Sequence, residues 1–355
     1  MQNEKLINFL LDHNTKQSEE FSSPDATLSR KLYKAKHPTN IVALKCMDGR
    51  LHLPIITKTP LGIIQPFRNI GGQFDLGWPF FGSLMKDWVS SSVAHGNNCI
   101  VLSTYHYSKS DSHLGCKGFG YNTELAISET KKLKEQFERV FGKQHSVVYP
   151  ILIGIETDED TLILHGNNDK LDLSTVLDIE LEELKNKVQS LFPDMKGRLI
   201  SDFLPLLVGN IKHIKEVREQ KRPVDDINHR ESILAVGRGF DWLHLHNKAL
   251  IVGPFSYNLK DPIGKAAGIL LDNLKQGRIE EEDGIVLMTS AVYNDASSIE
   301  HYLAKEKAVS LAKFSLDTIK EQVPELIPYI TIMTGTVDMN TRYFNRIPFD
   351  FEYNT

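Results

Sequence analysis

Ile41-Val42-Ala43-Leu44-Lys45-Cys46-Met47-Asp48-Gly49-Arg50 sets a short apolar run directly against a cysteine, a carboxylate and a guanidinium. Cys99-Ile100-Val101-Leu102-Ser103-Thr104-Tyr105-His106 repeats the arrangement with a histidine at its end, and Cys116 follows soon after. Both runs read as buried strands. The chain has 355 residues and only three cysteines, and two of them, Cys46 and Cys116, come after such a run. Thiols and an imidazole gathered at the carboxyl ends of parallel strands are how a zinc site is built.

Working outward, an amino-terminal arm extends to about Asn40 and the first strand spans Ile41 to Leu44. A second strand, Gly62 to Phe67, runs into Arg68-Asn69-Ile70-Gly71-Gly72, where glycine permits a left-handed backbone or a close approach. A helix is expected from Pro79 to Ala94 with Phe81, Leu84, Trp88 and Ser91 on one face, closed by His95-Gly96. After the strand ending at His106 and the glycine-rich stretch Gly115 to Gly120, a charged helix spans Glu124 to Phe141 and leads to a strand over Val147 to Ile155. Alternating strands and helices predict an α/β fold with a mostly parallel central sheet flanked by helices.

The chain then starts again. Ile233-Leu234-Ala235-Val236 resembles Ile41-Val42-Ala43-Leu44, Gly284 to Thr289 resembles Cys99 to Thr104, and Thr336 to Thr341 resembles Glu156 to Thr161. A helix over Pro262 to Gln276 precedes the second match, as Pro79 to Ala94 precedes its counterpart. The pattern predicts an internal duplication: an amino-terminal helical arm over 1–40, a zinc-bearing α/β unit over 41–170, a helical connection over 171–228 and a second α/β unit over 229–355. Leu177, Leu181, Leu184, Val188 and Leu191 give the connection its helical spacing. The second copy has lost the chemistry: Arg238 or Gly239 falls where Cys46 stands, Ala291 where His106 stands, and no cysteine follows Cys116.

A formal net charge of -5 argues against a protein that coats nucleic acid. The apolar runs are too short to span a bilayer. Met1 to Asn14 reads as a short amphipathic helix rather than a secretory signal, so the expected location is the cytoplasm, with thiols reduced or metal-bound rather than paired in disulfides. Cys99, without a partner motif, reads as core. Lys212, Lys215, Arg218, Lys221 and Arg222 form a basic helical stripe, but Glu216 and Glu219 interrupt it, so it reads as a solvated face. Gly115 to Gly120 lacks the ending of a phosphate loop. A phosphatase built on Cys46 would need arginine six residues later, and His52 stands there.

At these residues the chain resembles the β-class carbonic anhydrases, whose pattern is Cys-x-Asp-x-Arg, then Arg-Asn-x-Gly/Ala before a helix, then a strand ending in histidine and a later Cys-Gly. Here the counterparts are Cys46/Asp48/Arg50, Arg68-Asn69-Ile70-Gly71, Gly82-Ser83-Leu84 and the strand ending at His106. The family usually spaces its ligands His-x-x-Cys, which His113-Leu114-Gly115-Cys116 satisfies, whereas strand register favours His106. Both histidines therefore compete for one role. With His106 as the ligand, Tyr107 to Gly115 is an inserted loop. A fused duplicate with a silent second half is similar to the carboxysomal shell branch of the family.

The resemblance implies Zn²⁺ held by Cys46, His106 (or His113) and Cys116, with a fourth position for water whose pKa the metal lowers toward ~7. It implies reversible hydration of CO₂ to bicarbonate, with Asp48 and Arg50 catalytic and Arg68, Asn69 and Gly71 framing the pocket. Arg50 would fork onto Asp48 and keep it ionised and off the metal. CO₂ and bicarbonate are then the partners, with no nucleic acid or membrane, and a homo-oligomer of pseudodimers is expected. The same centre could instead act on CS₂ or COS, or serve a silent zinc-binding scaffold.

Overall fold

The computed structural model describes residues 4–142, 147–222, 228–279 and 284–349. Two helices, α1 (Glu4–Ser22) and α2 (Pro24–Lys36), precede the first strand, β1 (Asn40–Cys46). There follow α3 (Leu53–Ile56), β2 (Ile64–Asn69), α4 (Pro79–Ala94), β3 (Cys99–Tyr107), α5 (Thr123–Phe141) and β4 (Val148–Glu156). A hairpin of β5 (Thr161–His165) and β6 (Lys170–Asp172) leads to α6 (Leu181–Leu191) and α7 (Gly197–Gln220). The remainder comprises β7 (Ile233–Gly237), β8 (Ala249–Val252), α8 (Lys260–Lys275), β9 (Ile285–Tyr293), α9 (Ile299–Gln322), β10 (Ile330–Asp338) and β11 (Phe344–Ile347). No described helix is long and apolar enough to cross a membrane.

The chain divides into two units, Leu28–Asn228 with Phe255–Tyr257, and Met1–Thr27 with His229–Pro254 and Asn258–Thr355. The first, the candidate metal unit, holds a sheet of order β2-β1-β3-β4-β5-β6. Its first four strands run parallel, and β5 and β6 are antiparallel. β1, β3 and β4 are buried along nearly their whole lengths, which is why they read as continuous apolar runs rather than alternating ones. The chain leaves β1 toward β2 on one side and returns to β3 on the other. The carboxyl ends of β1 and β3 therefore flank a topological switch point, the place where open α/β sheets bind ligands.

Helix α4 begins at Pro79, whose missing N–H costs nothing in the first turn. It buries Phe81, Met85, Val89 and Ser92, so its inward face is turned from the Phe81, Leu84, Trp88 and Ser91 stripe expected from spacing. Leu84 and Trp88 pack at the margin of that core. Cys99 lies fully buried in the same cluster. The segment 171–228 builds into this unit through α7: Asn210 accepts a bond from Leu162 N at 2.9 Å and donates to the carbonyls of Ile56 and Asp160. The basic stripe on α7 is engaged with acids, Lys215 with Asp178, Arg218 with Glu159 and Arg222 with Asp160.

The second unit holds a sheet of order β11-β10-β9-β7-β8, with β8, β7, β9 and β10 parallel and β11 antiparallel. Read from the other edge this is the order of β2-β1-β3-β4-β5. The correspondence reaches single bonds: Tyr107 O accepts from Thr157 N at 2.9 Å, and Tyr293 O accepts from Met339 N at 2.9 Å. The turns after β4 and β10 each carry a left-handed residue, Asp160 (φ 57) and Arg342 (φ 65). Ile41 pairs with Ile100, and Ile233 pairs with Val286. This register corrects the sequence alignment by one residue and sets Val292, not Ala291, at the place of His106, with Arg238 at the place of Cys46. Helix α1 belongs to this unit; Ile7 and Leu10 enter its core with Trp242 and Met288.

Candidate metal centre

Three donors meet at the switch point of the metal unit. Cys46 ends β1, His106 stands one residue before the end of β3, and Cys116 returns from the loop that follows. Their ligand atoms all lie within 4.8 Å of one another, and all three residues are buried. The two sulfurs are 3.9 Å apart, far beyond the ~2.05 Å of a disulfide. Two thiolates at Zn–S ≈ 2.3 Å in a tetrahedron would sit roughly 3.8 Å apart. Neither ring nitrogen of His106 has a hydrogen-bond partner although both are buried, and buried polar atoms are rarely left so. The donor set therefore fits a zinc ion.

Burial pushes the Cys46 thiol up, but hydrogen bonding with Cys116 and the charge of His106 outweigh it and bring Cys46 well below its ordinary range. The hydrogen bond with Cys46, with burial added, lifts Cys116 well above. His113 lies outside the cluster: its side chain is 80% exposed, against 2% for His106, and it bonds to Asp111 at 3.2 Å.

The turn after Cys46 is tied down by cations. Arg50 donates from Nε to Asp48 Oδ1 at 3.0 Å and from a terminal nitrogen to Asp48 Oδ2 at 2.7 Å, while Arg50 N also reaches Oδ1 at 2.8 Å. The same guanidinium donates to Leu114 O at 2.7 Å, two residues before Cys116. Asp48 Oδ2 comes within 3.8 Å of His106 Nε2. Arg68 donates to the carbonyls of Asp48 and Leu51, both at 3.1 Å. Lys45, also buried, donates to Leu51 O at 2.5 Å. Asn69 donates to Gln73 O at 2.7 Å, closing the loop around Gly71.

Gly72 in that loop has φ +65, and a Cβ there would lie 2.8 Å from Thr104 O and 3.3 Å from Lys45 C, so the loop can lie against β1 and β3 only as glycine. Lys45 was not singled out from the sequence. Its signal is a cation inside an otherwise apolar strand.

The inserted loop is held from below by two acids at the end of β4. Glu156 accepts from the N–H groups of Lys109, Asp158 and Glu159 at 3.3, 2.9 and 3.1 Å. Asp158 accepts from Ser108 Oγ at 2.6 Å and Ser110 N at 2.7 Å. Burial raises the Glu156 carboxyl to about 7 from an ordinary 4.5, the charge of Asp158 adds to the rise, and the N–H donors offset part of it.

At Glu156 the folded protein thus retains a proton that the unfolded chain has released, and the contribution of this group to stability falls as pH rises from about 4.5 to about 7. Glu156→Gln removes this dependence. The stability of the variant relative to wild type should climb by up to about 3 kcal/mol across that window, read by urea denaturation at stepped pH. A flat difference would place the Glu156 carboxyl in its ordinary range.

A mostly parallel sheet carrying Cys, His and Cys donors at its switch point, with an Asp–Arg fork beside them, is the arrangement that the resemblance to the β-class carbonic anhydrases implies. Over part of its length the chain is similar to the carboxysome shell carbonic anhydrases. Residues 37–204 match the family model described as Carboxysome Shell Carbonic Anhydrase, catalytic domain. The carboxysome shell carbonic anhydrase of Prochlorococcus marinus subsp. pastoris is 27% identical over 238 residues, 57% of this chain and 46% of its own length. That of Hydrogenovibrio crunogenus is 24% identical over 238 residues, covering 57% of this chain and 45% of the relative. The protein of the same name from Halothiobacillus neapolitanus is 23% identical over 333 residues, 79% of this chain and 61% of its own length. The chain spans about half to three fifths of these curated relatives.

Proposed function

We propose that the metal unit is a zinc-dependent carbonic anhydrase that hydrates CO₂ reversibly to bicarbonate and a proton. The observation that carries this reading is the buried Cys46–His106–Cys116 set, with both imidazole nitrogens unpartnered. Zinc bound by such a set supplies a water-derived nucleophile near neutral pH. Asp48, with both carboxylate oxygens gripped by Arg50, is an acceptor fixed at the edge of the donor set, suited to orient the hydrogen of a reacting water. Arg50 at the same time holds Asp48 away from the ligand position it would otherwise compete for. Arg68, Asn69 and Gly71 keep the surrounding loops in register.

Only three protein donors gather here among the described residues. A purely structural zinc site would be closed by a fourth protein ligand, which favours catalysis over a silent binding role. The second unit has the same strand order without the donors, which supports an origin by duplication and a scaffold role. Two ligand thiols and a third free one suit a reducing cytoplasm.

The test is metal content of the purified chain alongside CO₂ hydration in stopped flow. About one zinc per chain with hydration above the uncatalysed rate is expected. Zinc without hydration would defeat the enzymatic reading, and absence of zinc would defeat the metal centre itself.

A further inference from the structure

Helix α2 turns its leucines outward. None of its residues is buried, and Leu28 and Leu32 are 55% and 61% exposed. With Ala35 they follow one another at the spacing of a single helix face, the stripe that a surface helix ordinarily lays against its core. Lys31, Lys34 and Lys36 stand exposed around that stripe, with no ion pair among the described residues. Asp25, the one acid of the helix, lies at its other end. The side turned to the metal unit is held by polar groups instead. Tyr33 lies against His37 with ring centroids 5.1 Å apart, His37 Nδ1 faces Asp202 at 3.4 Å, and Arg198 donates to Lys36 O at 3.1 Å. Arg198 and Asp202 both belong to the first two turns of α7.

The same unit carries the opposite pattern toward the other end of α7. The segment 178–183, leading into α6, exposes Leu181, at 54%, among the exposed carboxylates of Asp178, Glu180, Glu182 and Glu183. Asp178 takes Lys215 of α7 at 2.8 Å, which sets this acidic turn roughly 25 Å along the helix from Arg198. Glu182 and Glu183 meet Lys185 and Lys187 of their own helix at 3.2 and 3.6 Å, exposed pairs of the kind that contribute little. Glu180 has no ion pair among the described residues.

An apolar stripe ringed by cations and an exposed leucine ringed by carboxylates complement one another in sign, and α7 keeps them apart within one chain. A two-fold axis crossing α7 brings each onto the other twice, the self-complementary arrangement that a closed pair requires. Near its midpoint α7 shows Pro205 and Val208, apolar and half-buried.

We propose that α2 and the acidic turn at 178–183 are the two halves of a dimer interface, each basic helix docking on the acidic turn of a second copy of this chain. The interface concerns assembly and stands apart from the metal centre.

Sedimentation velocity of the full chain over a series of protein concentrations tests it. Wild type should pass from one copy to two as concentration rises. Raising sodium chloride from about 0.05 to about 0.5 M should weaken the association several-fold, because screening acts on the charges. Lys31→Glu with Lys34→Glu sets acid against acid and should weaken it about tenfold or more, and Glu180→Lys with Glu182→Lys should do the same from the other side. All four positions are exposed, so both variants should keep the circular dichroism of wild type. An equimolar mixture of the two variants should pair as wild type does, since both contacts of the mixed dimer again join opposite charges. A wild-type chain that stays single throughout, pairing unaffected in both folded variants, or a mixture that pairs no better than its components overturns the interface.

Discussion

Arg50→Ala abolishes CO₂ hydration while the chain keeps close to one zinc: this is the expected result, with the turnover rate down by roughly 10²–10³ or more. The three proposed ligands are untouched, so metal affinity has no direct reason to fall. What changes is Asp48. Its carboxylate is buried and accepts three bonds from Arg50, and the alanine variant removes the two that carry charge. Removing one partner of a buried ion pair typically costs about 3–5 kcal/mol. Asp48 relieves that cost by taking a proton or by turning toward the metal, and either ends its role as a fixed acceptor.

Arg50→Lys separates charge from geometry. A single ammonium cannot reproduce the fork on Asp48 together with the bond to Leu114 O, so activity between wild type and alanine is expected. Full hydration in Arg50→Ala would sink the proposed role of the pair. Loss of zinc from it would show instead that the Leu114 bond, two residues from Cys116, is what holds the third ligand.

The parts of the fold that were legible in the sequence are those whose physics is local. β1, β3 and β4 announce themselves because a strand buried on both faces is apolar throughout, and α4 has Pro79 to start it and Gly96 just beyond its end. The same double burial hides register: Ile285 and Val286 are equally apolar, so the two similar stretches of sequence align with a one-residue slip that the pairing of Ile233 with Val286 resolves.

The length of α1 was hidden for a different reason. Its inward face continues past Leu10 as Asn14 and Ser18, which are buried polar residues; Asn14 is satisfied by Arg342 O and Phe344 N, bonds to the far end of the chain. Lys45 shows in the sequence as a cation inside an apolar strand, but its bond to the Leu51 carbonyl is to the backbone, which no side-chain pattern reveals. The cysteines, Asp48 and Arg50 were legible as a motif, whereas the choice between His106 and His113 needed the path of the loop.

That choice gives the second large effect. His106→Ala should lower zinc affinity by more than about a hundredfold and remove hydration with it, whereas His113→Ala should leave both within about a factor of two of wild type. The known spacing His-x-x-Cys points to His113, yet its ring is held outward by Asp111 and lies against Tyr121 with centroids 5.6 Å apart. Recruiting it would require unwinding the short turn at Ser112–Leu114, with Asp111 accepting from His113 N at 2.8 Å, and breaking the bond from Arg50 to Leu114 O. Those losses have no compensation while His106 already faces both thiols.

An exposed histidine of this kind contributes within about 0.5 kcal/mol to stability, so His113→Ala is a clean control. Competition of each variant with a chromophoric chelator measures the affinity directly, independent of turnover. Zinc lost from His113→Ala and kept by His106→Ala would reverse the assignment and mean that the loop closes over the metal in a conformation different from the one described.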